Sequence, residues 1–323
     1  MKRVVLVLLV ISLMIGAINF DACADEGRLG PSGVLSDGFY GLRGSIDVSE
    51  FVMSPEELSR VFSCVLKDDP YLFFVDYTLS YSYKNGVGIV SVRPIYTMNA
   101  AELEVAVDFC RGMVKKIATL ASVYETDLEK ALFVHDYICE NYGYDSTLRS
   151  DDLYEFFLSG RGTCQGYTAA YMAVMRECGI ECRFVASDEI EHIWNAVFID
   201  GEWYHADLTW DDALDGLSRR HFMCSDEMAR ERGHKNWYSS VEIRCGSDAY
   251  KNVDFDLLLH GDFESGDADH SGEINVLDLV RMQRQVNGLS EMDQCKKCAD
   301  LNFDGRVDVL DVEFLRRKLL SVD

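Results

Sequence analysis

The chain has 323 residues, a hydrophobic fraction of 48% and a formal net charge of −24. A surface that acidic repels phosphate backbones and anionic lipid, which excludes nucleic acid and acidic membranes as partners. The hydrophobic fraction is that of a folded protein, long enough for one sizeable core and a small second module. Eleven cysteines suit disulfides in an oxidising exterior or free thiols in a reducing one, and their spacing fixes no connectivity.

In chain order, Met1-Lys2-Arg3 is basic, Val4 to Ile18 is almost wholly apolar, and Ala22-Cys23-Ala24 follows. This pattern predicts a signal peptide over residues 1–24. The apolar run is short for a membrane span and polar sequence follows it. A lipid anchor on Cys23 is the alternative, which Asp21 fits poorly. The expected mature protein is soluble, secreted and extracellular, starting near Asp25. Residues 25–99 read as a lead-in to the central region. Ser54-Pro55-Glu56-Glu57 starts a helix to about Leu66, with an N-cap and a proline at the first helical position. Tyr71 to Tyr83 and Val87 to Tyr96 are β-rich and split by Asn85-Gly86, a hairpin signal. Ala100 to Ala121 and Leu128 to Asn141 read as amphipathic helices. His135 reads as a packed helix residue, and Tyr142 and Tyr144 as core filling, with lining of the site as the alternative.

Gly162-Thr163-Cys164-Gln165-Gly166 then leads into a run of small and apolar residues at helical spacing. The expected helix extends to about Cys178 and stops at Gly179. A cysteine in its first turn faces unpaired N–H groups and the positive end of the dipole, which favours thiolate. Flanking glycines would let a substrate backbone approach. Taken alone, such a cysteine is more often a small core residue. The sequence downstream changes that weight. Asp200-Gly201 separates two β-rich runs, His192 to Ile199 and Glu202 to Leu208, and predicts a two-residue turn. Ile199 then faces Glu202, and Trp194 lies opposite Asp207. His192 shares that face, so His192 and Asp207 are diagonal neighbours roughly 7 Å apart. A one-residue slip would separate them. His205 lands on the same face as a rival base; His192, at a strand start, is better placed to meet a cleft. Thiol, imidazole and carboxylate in this order are the parts of an activated acyl-transfer nucleophile.

Gly162 to Tyr167, His192 to Val197 and Gly201 to Asp212 closely resemble the core of bacterial transglutaminase-like proteins. The resemblance extends upstream to Val134 to Ile138 and Asn141 to Asp145, and downstream to His221 to Asp226 and His234. It spans most of residues 60–240. It implies an α+β, papain-like core over residues 100–250, with a cysteine-bearing helix packed on an antiparallel sheet. It also implies Cys164, His192 and Asp207 as the catalytic residues and a protein or peptide substrate. Gln165, Gly166, Trp194 and Trp210 are expected in the substrate cleft. An amine acceptor would make the enzyme a transglutaminase, and water would make it a peptidase or amidase. The sequence does not choose between them. A silent binding module is the third reading, disfavoured by the intact triad. His221 and His234 show no partner in the sequence and are expected to be structural. No spacing in the core resembles a zinc site, so no cofactor is expected there.

After a short linker, 251–261, residues 262–323 carry two copies of a twelve-residue loop. In the first, Asp267, Asp269, Ser271, Glu273, Asn275 and Asp278 occupy positions 1, 3, 5, 7, 9 and 12; in the second, Asp300, Asn302, Asp304, Arg306, Asp308 and Asp311 do. A glycine stands at position 6 of each. Position 7 supplies its backbone carbonyl, so the charges of Glu273 and Arg306 do not matter. This is the EF-hand pattern for Ca2+, with aspartate at the last position. Each loop runs into a helix, Val276 to Asn287 and Val309 to Leu320. The tandem resembles a dockerin, which implies two Ca2+ ions and a cohesin module of a scaffoldin as partner, hence attachment to a cell-surface multienzyme complex of cellulosome type. The matching contact positions are Val276, Leu277, Val309 and Leu310, flanked by Arg281, Arg284, Arg316 and Arg317. Cys295 and Cys298 depart from the usual dockerin and read as a local disulfide.

Overall fold

The computed structural model describes residues 6–9, 30–147, 151–213, 216–260, 265–268, 271–289, 296–302 and 306–320. It is a mixed α+β structure with two four-stranded antiparallel sheets. The first part comprises β1 (Leu6–Leu9), α1 (Pro31–Tyr40), β2 (Ile46–Asp47), α2 (Pro55–Asp68), β3 (Val75–Lys84) and β4 (Gly88–Tyr96). Its strand order is β1-β3-β4-β2. β1 falls within the segment read as a signal peptide; residues 1–5 and 10–24 of that segment lie outside the described residues.

α2 starts where its cap predicts. Ser54 Oγ accepts the Glu57 N–H, and the Glu57 carboxylate accepts the Ser54 N–H. β3 begins at Val75 rather than Tyr71, because Asp69 holds the preceding residues in turns by accepting from Tyr71 N–H and Leu72 N–H. Leu35, Phe39, Phe62, Phe74 and Val92 form the centre of this part's core, each fully buried.

The central part runs α3 (Ala100–Ala121), α4 (Asp127–Asn141), β5 (Gly143–Tyr144), α5 (Leu153–Ser159), β6 (Arg161–Gly162), α6 (Cys164–Glu177), β7 (Cys182–Ser187), β8 (His192–Ile199), β9 (Glu202–Ala206), α7 (Leu208–Asp211), β10 (Asp212–Ala213), β11 (Gly216–Leu217), β12 (Phe222–Cys224), α8 (Asp226–Glu231) and α9 (Phe255–His260). Capping boxes at Asn99 and Thr126 start the two long helices. α6 is the buried axis: Ala170, Tyr171, Met172, Val174 and Met175 are all fully buried. It packs against the sheet β12-β9-β8-β7 and is tied to it by polar bonds. Thr168 Oγ1 donates to the Ile193 carbonyl, and Asn195 Nδ2 donates to the Thr168 carbonyl.

Asp200 and Gly201 both adopt positive φ, 52° and 86°, as a twist-matched hairpin turn requires. Ile199 pairs Glu202, and the register continues to Asn195 opposite Ala206. β9 ends there, because Asp207 turns to cap α7 by accepting the Trp210 N–H.

The C-terminal part contains α10 (Val276–Val286), α11 (Lys296–Ala299) and α12 (Val309–Leu320) around Ala268, Met282, Ala299, Val312 and Leu315. Eight described cysteines, Cys64, Cys110, Cys139, Cys164, Cys178, Cys182, Cys224 and Cys245, are free thiols. Cys298 is disulfide-bonded; Cys295, its expected partner, lies outside the described residues. Among the described residues, no helix is long and apolar enough to cross a membrane.

Candidate active site

Cys164 is the first residue of α6, half-buried at the start of the helix. Its N-cap, Thr163, makes no side-chain cap bond, and its buried hydroxyl has no partner. The N–H groups of the first turn are therefore not taken by the cap. Gly162 has a different reason from the expected one. A side chain there would overlap the Phe156 ring, so packing, rather than substrate approach, requires the glycine. Gly166 is buried within the first turn. Gln165 is held by the lead-in: the Tyr77 phenol donates to its Oε1 over 2.9 Å. A cavity of about 50 Å3 opens beside that pair, lined by Lys67, Tyr77, Asp152, Gln165, Thr168 and Ile193 among others.

His192 opens β8, and its Nε2 lies 2.7 Å from Asp207 Oδ2. Its other ring nitrogen is thus left free of Asp207, and Cys164 lies near enough to act on the charge of the ring. Burial works against a charged ring here, but the Asp207 carboxylate, and behind it the Cys164 side chain, outweigh it and raise the His192 pKa to about 9. Burial works against ionised Asp207 as well. His192 and then His234 overcome it and hold the carboxyl well below the usual range. These directions favour a charged His192 ring held against an ionised Asp207.

Trp210 stacks on the His192 ring at 4.8 Å with 9° between planes, and Trp194 at 5.7 Å with 18°. Trp194 does not line an open cleft: it is 1% exposed and forms the packed floor beneath His192. Trp210 is half-buried and remains available as a wall. The rival base is engaged elsewhere. His205 Nδ1 accepts the Trp194 indole N–H at 3.0 Å, and its Nε2 faces Asp226 at 3.0 Å. Its burial lowers its pKa, with Asp226 opposing.

The histidines expected to lack partners have them. His234 Nε2 is 2.8 Å from Asp207 Oδ2, the same oxygen that holds His192. His221 donates its backbone N–H to Asp211 and brings Nδ1 to 3.0 Å from the same carboxylate. His135, fully buried, places Nδ1 2.9 Å from Asp136 and Nε2 3.2 Å from Asp211. Burial opposes its charge, but those two hydrogen bonds raise its pKa to about 9. Arg219 closes the network on Asp136 with Nη2 2.7 Å from Oδ2. His234–Asp207, His135–Asp211 and Arg219–Asp136 join residues 27, 76 and 83 apart, so no spacing in the sequence announces those three; His221–Asp211 and His135–Asp136 are local.

Linear spacing likewise missed two clusters of ligand-type atoms, each within 4.8 Å: His192, Asp207 and His234, and His205, Asp226 and Cys245. In both, the atoms hydrogen-bond one another. In the second, the bond from Trp194 to Nδ1 leaves the proton of a neutral His205 on Nε2.

In the C-terminal part, Asp267, Asp278 and Asp311 are fully buried carboxylates. Asp267 accepts from Ser271 and Gly272 N–H, Asp278 from Asn275 N–H, and Asp311 from Leu301, Asn302 and Asp308 N–H. Gly272, at loop position 6, has φ 81°, the sharp turn an EF-hand loop needs. An oxygen-only donor set around buried acids fits a hard cation such as Ca2+. Asp269 and Asp304 lie outside the described residues. Val276, Leu277, Val309 and Leu310 are all more than half exposed.

The fold and these loops define a two-part class. Residues 115–208 match the model of the transglutaminase-like superfamily, and residues 265–320 match that of the dockerin type I domain. The chain carries a transglutaminase-like core followed by a dockerin type I domain, a calcium-binding kind of module. Among curated proteins it is similar to the kyphoscoliosis peptidase of Homo sapiens, 25% identical over 123 residues, and to that of Mus musculus, 24% identical over 123 residues. Each match covers 32% of this chain and 19% of the relative, so the chain spans about a fifth of the length of these relatives. Similar solved structures include a crystal structure of a TGase, 14% identical with a TM-score of 0.31, covering 46% of this chain and 48% of that one. Another is a Cytophaga hutchinsonii protein described as a cysteine protease, 14% identical with a TM-score of 0.29, covering 47% of this chain and 61% of that one.

Proposed function

We propose that the chain is a secreted thiol acyl-transfer enzyme acting on amides of proteins or peptides, docked to a cohesin of a scaffoldin by its calcium-loaded tail. The observation that carries this reading is the bond of His192 Nε2 to Asp207 at 2.7 Å, which leaves the other ring nitrogen for Cys164 at a helix start. Cys164 sulfur attacks the amide carbonyl, His192 protonates the leaving nitrogen, and a thioester remains. Asp207 orients His192. The unclaimed N–H of Cys164 is the candidate donor to the oxyanion. Similarity to the human and mouse peptidases supports water as acceptor; the triad would serve an amine equally.

Iodoacetamide applied to the calcium-loaded chain is expected to label Cys164 faster than the seven other free thiols among the described residues. Cys164→Ala is expected to remove that fast label and to lower turnover of casein by at least about 10³-fold. A fluorescent primary amine added with the casein separates the outcomes, because incorporation means transfer and fragments without incorporation mean hydrolysis. Equal labelling of all eight thiols would overturn the reading.

A further inference from the structure

Asp207 Oδ2 lies within hydrogen-bond distance of two imidazoles, His192 at 2.7 Å and His234 at 2.8 Å. The acyl-transfer scheme uses only the first. The second ring is 2% exposed, and each of its nitrogens faces an atom that can only accept. Nε2 faces the Asp207 carboxylate, and Nδ1 faces the Ala229 carbonyl at 3.2 Å. Satisfying both requires a proton on both nitrogens. His205 is the internal contrast. Its Nδ1 meets a donor, the Trp194 indole N–H, so that ring carries one proton and no charge. The groups that face these two buried histidines thus differ, two acceptors around His234 against a donor and an acceptor around His205.

The surroundings of His234 suit a cation. The faces of Trp210 and Trp194 lie at 4.2 Å and 4.5 Å, a distance at which aromatic rings attract positive charge. The titratable groups turned to it are Asp207, His192 at 6.2 Å between rings, His221 at 5.7 Å, and His205.

We propose that His234 is a positioning residue of the acyl-transfer site: a standing imidazolium that neutralises Asp207 so that the buried set stays electrically neutral while His192 gains and loses its proton. This rests on the reading of Cys164 as the nucleophile. At rest, thiolate and His192 imidazolium cancel, and Asp207 and His234 cancel. In acylation the sulfur–carbon bond forms, the carbon–nitrogen bond breaks, and the His192 proton leaves on the amine. The thioester and His192 are then both neutral, and Asp207 and His234 still cancel. Without His234, the same step would leave a buried carboxylate beside a neutral ring. An uncompensated charge of that kind is costly and makes His192 reluctant to release its proton. The second imidazolium also repels charge on His192 through Asp207, which keeps that ring able to act as an acid.

The test has two independent readouts. Long-range nitrogen–proton spectra of the 15N-histidine protein are expected to show both His234 nitrogens protonated at pH 7, the ring being assigned through its contacts to Trp194 and Trp210. A neutral pattern for that ring overturns the proposal, with no variant needed. His234→Gln keeps a donor for Asp207 but removes the charge. In that variant the alkaline limb of the pH profile of Cys164 alkylation, where His192 loses its proton, is expected to move up by about one pH unit. An unmoved limb in a variant with wild-type near-UV circular dichroism also overturns it. Loss of preferential Cys164 labelling in the wild type would instead sink the acyl-transfer reading, whatever the state of His234.

Discussion

The core and the C-terminal module both bury carboxylates, and they meet that charge in different ways. In the core, Asp136 is held by Arg219 and His135, Asp211 by His135 and His221, and Asp207 by His192 and His234. In the tail, Asp267, Asp278 and Asp311 are met by main-chain N–H groups of their own loops. The first of those loops, residues 267–278, contains Asp267, Asp269, Glu273 and Asp278 and neither lysine nor arginine. The core therefore closes its electrostatics with its own side chains, whereas the tail is built to close its own with a dissolved ion. One region answers to sequence alone, the other to the medium.

The largest expected effect separates them completely. Addition of EDTA to the full chain is expected to melt residues 262–323 and abolish cohesin binding, while fast alkylation of Cys164 persists. Circular dichroism and a cohesin pull-down check it; unchanged dichroism and affinity in EDTA would refute the division. A smaller effect lies on the other side. Asp136→Ala strands Arg219 and His135 in the interior, and is expected to cost about 3–5 kcal/mol of core stability in urea unfolding, with cohesin binding in calcium unchanged. A stability change within 1 kcal/mol, on the order of a surface substitution, would show that the network is not what holds the core.

The smallest effect is one of pH. The pKa values of His135 and His192 are raised to about 9, against an unfolded value of about 6.5. Their contribution is complete below the unfolded value and is lost as pH rises through about 9. The melting temperature of the core is therefore expected to fall between pH 7 and pH 10. Calcium-dependent docking is expected to hold across that range. A flat or rising melting temperature would contradict the assigned charges.

What the sequence discloses here is what lies within about a dozen residues. The Asp200-Gly201 turn fixes the register that brings His192 to Asp207, and Ser54, Asn99 and Thr126 mark their helix starts through capping residues three positions on. Both calcium loops are equally local. α1 is silent in the sequence because Gly30 offers no side-chain cap, and α5 because seven residues carry too little periodicity. One partner each of Asp207 and Asp211 escapes for a different reason. His234 is 27 residues from Asp207, and His135 is 76 from Asp211, and a hydrogen bond between distant side chains imposes no pattern on the chain between them. Trp194 was placed in a cleft because alternation gives its face, but alternation does not say how much is stacked on that face.

α7 has one further effect. Asp207 caps it and Asp211 closes it, so the carboxylate that aims His192 and the one that anchors His135 sit on a single rigid turn. Heat that loosens the anchor must swing the aim as well. On the proposed chemistry, fast labelling of Cys164 is then expected to vanish at the temperature at which the interior opens, with no half-softened form before it.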